Sequence, residues 1–255
     1  MSDPGIDDLL RRSQFVFEAT VEQHATSTVA DIPVDDHTVV VRVDRVLQSP
    51  AALARTAGTQ VTVQLQEGSA VPGIGDRTVL FTSALAFGQG IAVNEVGRTA
   101  SDTPQPTLMA AGAPSPIPGA RSGRPHPVLE AGQRLADEDL RRHAEEAEAV
   151  VVGRVTAVEK AGPFVPSEHE PDWWRATVDV DHAEKGGVEG SVQVLFPNSR
   201  DVMWSRVPKL APGQTGLWLL HRTTGDEAAL APFTVLDTDD AHPADHLDRL
   251  RPEDG

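Results

Sequence analysis

The sequence predicts an all-β protein made of two tandem five-stranded, barrel-like domains, each entered through a short helix. Three observations carry this. Five short apolar segments occur twice in the same order. Their apolar and polar residues alternate with a period of two, the signature of strands with one buried face. In the second segment of each copy the alternation slips at the same place, at Arg45 and at His182, which predicts a shared β-bulge.

The elements follow in chain order. Asp7 to Arg12 and Glu138 to Arg142 each lead with acidic and end with basic residues, the order a helix dipole favours. The first strand is expected over 15–23 and 149–158. The second covers 37–47 and 174–184, with Val39, Val41 and Val43 matching Ala176, Val178 and Val180. The third covers 60–65 and 191–196, with Val61, Val63 and Leu65 matching Val192, Val194 and Phe196. Gly75 and Gly213 mark the turn before the fourth strands, 75–81 and 213–219. The fifth strand is read as Ile91 to Val93 against Phe233 to Val235.

Between the copies, 99–127 is crowded with proline, which cannot sit inside a sheet ladder, so the segment reads as an extended linker. The expected organisation is a first domain over 1–98, a linker over 99–129, a second domain over 130–240 and an acidic tail over 241–255, with one short helix around 244–250.

The second copy shows the whole pattern best, in Val151 to Val155, Val178 to Gly186, Val192 to Val194 and Leu210 to Leu220 with its glycines Gly213 and Gly216. It resembles the OB-fold domains of the tissue inhibitors of metalloproteases and the netrin modules, including their bacterial relatives. The resemblance implies two tandem five-stranded OB-like barrels. It covers both repeats and neither the linker nor the tail. Those inhibitors chelate a protease zinc through an N-terminal cysteine, and this chain has no Cys, so that mechanism does not carry over. OB folds also place a helix between strands three and four. Residues 198–207 could form one in the second copy, whereas 66–72 is too short in the first. Two small β-sandwich domains, or SH3-like barrels, remain alternatives.

Composition narrows the function. The absence of Cys excludes disulfides, thiol catalysis and thiolate metal sites. The chain carries a net charge of −16. Residues 1–98 hold 7 basic and 12 acidic residues, and 130–255 hold 13 and 25. Such surfaces repel phosphate backbones and anionic lipid, so nucleic-acid and membrane binding are disfavoured. No run approaches the roughly 20 apolar residues that span a bilayer. The first ten residues show no signal-peptide pattern, and the expected location is cytoplasmic.

Catalytic frames are missing. There is no Gly-x-Ser-x-Gly elbow, no His-Glu-x-x-His and no phosphate-cradling loop. The tightest polar group is His169, Glu170 and Asp172, with His182 on the following strand. His169, Asp172 and His182 are the candidates for a metal, although solvated loop polarity is the favoured reading and no cofactor is expected. His242 and His246 stand four apart in the tail and are read as solvated.

Large apolar side chains near predicted loops are more informative. Trp173 and Trp174 open a strand, so they face opposite sides. Met203, Trp204 and Arg206 precede the fourth strand of the second copy, and Leu85 and Phe87 follow the fourth strand of the first. Trp, Met and Arg are typical interface anchors. These seven residues are the candidate partner-binding set, and Trp218 is read as core. The favoured function is a non-catalytic protein-interaction or scaffolding protein whose partner has a basic surface. The alternatives are an OB-type nucleic-acid binder, and an enzyme or enzyme inhibitor using the His/Asp/Trp loop of the second repeat.

Overall fold

The computed structural model describes residues 5–30, 32–87, 90–101, 126–162, 172–199, 204 and 206–251; of 84–87 it describes the backbone. The chain divides into two compact units between Leu135 and Ala136.

The first unit opens with helix α1 (Ile6–Arg12). Its acidic first turn and basic last turn suit the dipole, and Leu9 and Leu10 are its buried residues. Five strands follow: β1 (Phe15–His24), β2 (Thr38–Gln48), β3 (Gln60–Gln64), β4 (Arg77–Phe87) and β5 (Ile91–Ala100). They close into a barrel in the order β1-β2-β3-β5-β4, with β3 and β5 parallel and every other pair antiparallel. Inside stand Phe15, Phe17, Val41, Val61, Val63, Leu80 and Val93. Outside, Leu9 and Leu10 pack with Val16, Val79 and Phe81. A methyl group on Gly97 would meet the Leu9 side chain at 2.6 Å, so the bare glycine lets the helix seat.

The second unit repeats the plan. Strands β6 (Ala149–Lys160), β7 (Trp173–Lys185), β8 (Ser191–Pro197), β9 (Thr215–Arg222) and β10 (Phe233–Thr234) follow in turn. β10 pairs with both β8 and β9, which closes the ring in the same order as in the first unit. Val151, Val155, Val178, Val194, Trp218 and Phe233 fill it. Trp218 is core, as expected, with its indole N–H donating to the Gly153 carbonyl at 3.4 Å. The fold is therefore two OB-like barrels.

The shared bulge recurs where expected. Asp44 lies unpaired between Val43 and Arg45, and Asp181 between Val180 and His182. Two further bulges match as well, at Leu47 and Glu184 and at Glu22 and Thr156. Three irregularities at equivalent positions tie the copies together more tightly than side-chain identity does.

Four expectations need correction. The fifth strands pair with Val93 opposite Val63 and Phe233 opposite Val194, so Val93 corresponds to Phe233 and the expected match is two residues out. A shift of two leaves every side chain on its own face, so alternation alone cannot detect it. The helix expected at 138–142 is α2 (Pro127–Glu146), 20 residues long. Pro127 is a helix start and not the end of a tether: proline fits the first helical position, where its missing N–H costs nothing. β5 likewise runs on to Ala100, and the Pro-rich stretch 102–125 lies outside the described residues. In the first unit, Val128, Ala131 and Leu135 of α2 join the cluster around Leu9. In the second, Leu140 packs with Val150, Leu217 and Leu219.

The tail is the fourth correction. β11 (Ala241–His242) pairs with β9, and helix α3 (Leu247–Leu250) adds Leu247 and Leu250 to the cluster around Leu140. Asp240 is buried, accepts the N–H groups of Leu236 and Asp237, and meets His221 at 3.1 Å. His242 and His246 are accordingly not free in solvent. Their rings lie 5.6 Å apart beside a cavity of about 270 Å³ that His143 and Arg249 also line. No described helix is long and apolar enough to cross a membrane.

Candidate functional site

At one end of the second barrel three tryptophans gather. Trp173 and Trp174 begin β7 and point to opposite faces, as strand geometry requires. Trp174 packs at the edge of the barrel core. Trp173 lies on the outer face with Ala161, Leu195, Leu230 and Ala231. Trp204 also leans on the core, and its ring meets Trp173 edge-to-face at 5.8 Å. That geometry sets a positive ring edge against a π-face and contributes about 0.5–1.5 kcal/mol beyond area burial. All three rings are half-buried.

Polar groups fix the cluster. The indole N–H of Trp174 donates to Asp172 at 3.2 Å, and the Lys160 amine meets the same carboxylate at 3.1 Å while standing 6.0 Å over the Trp174 ring. Hydrogen bonds from Lys160 and Trp174 hold the Asp172 carboxyl below its usual range. The pair is exposed, so its contribution to stability is at most about 1 kcal/mol, and its role is to orient the ring. The Lys209 amine donates to the carbonyls of Trp204 and Pro197, and burial lowers its pKa. Arg206 is exposed.

The structure thus brings Trp173, Trp174, Trp204 and Asp172 together. Met203 and His169 lie outside the described residues. Leu85 and Phe87 belong to strand β4 and not to a loop: Phe87 pairs with Ile91 beside the β4–β5 turn. The β1–β2 loop reaches that turn: a methyl group on Gly90 would meet the Val29 side chain at 2.9 Å. Half of the expected helix at 198–207 falls outside the described residues; of the rest, Trp204 is in a 3-10 turn and 198, 199, 206 and 207 are not helical.

A metal shared by Asp172 and His182 is ruled out by distance. Asp172 precedes β7 and His182 lies within it, ten residues on, which is roughly 30 Å of strand. His182 instead contacts Glu184 at 3.1 Å, and Arg251 contacts Glu184 at 3.0 Å. Both partners lower the Glu184 pKa. Among the described residues no group of three or more His, Asp or Glu could hold a metal ion.

Two features escaped the sequence reading. Glu18 is 1% exposed on the outer face of β1. Ser101 donates to its carboxylate at 2.5 Å, and His126 Nε2 stands 3.6 Å from the same oxygen. His126 Nδ1 accepts the Val128 N–H at the start of α2, which places the ring proton on Nε2. The second feature is an apolar cavity of about 280 Å³ in the first barrel, lined by Ile32, Pro33, Thr62, Gln64, Ala92 and Val93. The equivalent of Glu18 in the second copy is Val152, and a charged residue between Phe17 and Ala19 reads as an ordinary solvated position.

Compared with known protein families and with curated proteins, the chain matches none.

Proposed function

We propose that the chain is a non-catalytic, cytoplasmic protein-interaction module whose two OB-like barrels act as scaffolds, with the main partner contact on the second barrel. The observation that carries this is the half-buried Trp173–Trp204 pair, with Trp174 beside it in sequence and exposed Arg206 close by. Each ring still leaves part of its surface in water, whereas a large aromatic fully covered at the centre of an interface contributes about 2 kcal/mol or more. The acidic chain would steer a basic partner and make association sensitive to salt. Kinship with the netrin-type barrels is part of the proposal and extends to the scaffold alone, since the cysteines of those modules are missing.

The test is recovery of the partner on tagged chain from the native cell, followed by the double change Trp173→Ala with Trp204→Ala. Binding should fall by at least about tenfold while circular dichroism stays that of the wild type. Unfolding of the double variant would make the rings a barrel plug. Normal folding with undiminished binding would move the contact elsewhere.

A further inference from the structure

Two loops leave the same end of the first barrel, the one after β1, described over 25–30 and 32–37, and 65–76 after β3. Hydrogen bonds hold them to the barrel and to each other. His24 Nε2 meets the Pro72 carbonyl at 2.8 Å, Gly75 N donates to Val21 O at 2.8 Å, and Leu65 N donates to His37 O at 2.9 Å. The Gln64 amide donates to Asp35 at 3.0 Å. The loops are therefore set in place before any partner arrives.

Their apolar residues face water. Among the described residues four large apolar side chains are more than a third exposed, and three of them stand on these two loops: Val34 at 48%, Val71 at 37% and Ile74 at 67%. Single exposed apolar side chains are common, but three concentrated at one pole of a small barrel are the mark of a contact surface. Next to Val34, Ile32 and Pro33 form one wall of the 280 Å³ apolar cavity, whose floor is Thr62, Ala92 and Val93. Thr62 is buried, and its hydroxyl accepts the Thr28 N–H at 2.9 Å, which keeps the loop wall fixed against β3. The cavity has room for an aliphatic side chain.

The rim is acidic. Asp36 and Glu67 are exposed and make no ion pair among the described residues, and Asp35 stands beside Asp36. The arginines here are engaged: Arg98 by Glu95 at 3.2 Å and by the Ala70 carbonyl, and Arg77 by Asp44 at 3.3 Å. An apolar dent with exposed carboxylates on the adjoining loops is complementary to a cation-flanked aliphatic side chain.

We propose that this pole of the first barrel docks a basic protein segment, one aliphatic side chain entering the cavity between Ile32 and Val93 and its flanking lysines or arginines meeting Asp36 and Glu67. This surface is independent of the tryptophan cluster, so either can fail without the other.

The probe is a fluorescein-labelled peptide of about ten residues with a single Leu among four Lys, titrated into the full chain and followed by anisotropy. Saturable binding is expected. Replacing the peptide's Leu with Ala, or its Lys with Glu, should each weaken binding by about tenfold or more. So should the protein variants Val34→Ser with Ile74→Ser, and Asp36→Lys with Glu67→Lys. Raising salt from about 0.05 M to about 0.5 M should weaken it severalfold. No saturation below about 1 mM overturns the proposal, as does equal affinity for the Glu peptide. Equal affinity for the Ala peptide would reduce the surface to a diffuse charge effect and also overturns it. A dimer by sedimentation that Ile74→Ser dissolves would give the surface to a second copy. If a serine variant fails to fold, the peptide pairs on the wild-type chain decide the matter.

Discussion

All four tryptophans of the chain, Trp173, Trp174, Trp204 and Trp218, belong to the second unit, so tryptophan fluorescence reports on that barrel alone. This allows a sharp test of the repeat through Val41 and Val178. Both are fully buried, and they occupy equivalent places: Val41 pairs with Val21 and Val61, Val178 with Val155 and Val192. Changing either to Ala removes two buried methyl groups. At about 0.8 kcal/mol per group, plus a cavity term because a closed barrel cannot collapse into the gap, the loss is about 2–3 kcal/mol. With a urea slope near 1.5 kcal/mol/M for a unit of this size, the midpoint should fall by between about 1 and 2 M. Val178→Ala should move the fluorescence transition by that amount. Val41→Ala should leave fluorescence in place and move only the part of the circular-dichroism transition that belongs to the first unit. A shift under about 0.5 kcal/mol in either variant would show that the inward face is misassigned. An equal fluorescence shift from Val41→Ala would show that the two units unfold as one.

Three further outcomes are expected. Gly97→Ala should destabilise the first unit by about 1–3 kcal/mol through its clash with Leu9, and the penalty should nearly vanish in a Leu9→Ala background; additive losses in urea melts would refute the contact. Gly153→Val should cost more than a few kcal/mol because its Cβ would sit 2.3 Å from the Asp179 carbonyl oxygen, whereas Ala19, the counterpart in the first barrel, already carries a methyl group; a wild-type-like melt would mean the strands can spread. Burial, with Arg249 and His242 beside it, holds the His246 imidazole below its ordinary value of 6.5, against the opposing pull of Asp245 and Asp137. A histidine lowered in this way binds its proton less well folded than unfolded, so stability is full above pH 6.5 and is lost as pH falls below it. Melts of the second unit should weaken between about pH 7 and pH 5, and His246→Gln should flatten that slope; an unchanged slope would assign it to other groups.

Much of the fold was legible because it is written locally. Alternation at Val39, Val41 and Val43 and at Ala176, Val178 and Val180 names the buried face, since successive strand residues must point opposite ways. The slip before Val46 and Ala183 reveals a bulge for the same reason. Trp218 reads as core from its place among Leu217, Leu219 and Leu220. The candidate site was legible in part: the opposed faces of Trp173 and Trp174 follow from strand geometry, but their meeting with Trp204, Asp172 and Lys160 does not.

By itself, then, the sequence determined that two β repeats exist, how their strands are ordered and which side chains turn inward. Tertiary structure alone decided the rest. It set the register of Val93 and Phe233, because a two-residue shift is invisible to a period of two. It buried Glu18, because the side chain disappears only when Ser101 and the start of α2, each more than 80 residues further along the chain, fold over it. It left Val34, Val71 and Ile74 in water, because exposure depends on what the rest of the barrel covers and not on the hydrophobicity of the residue.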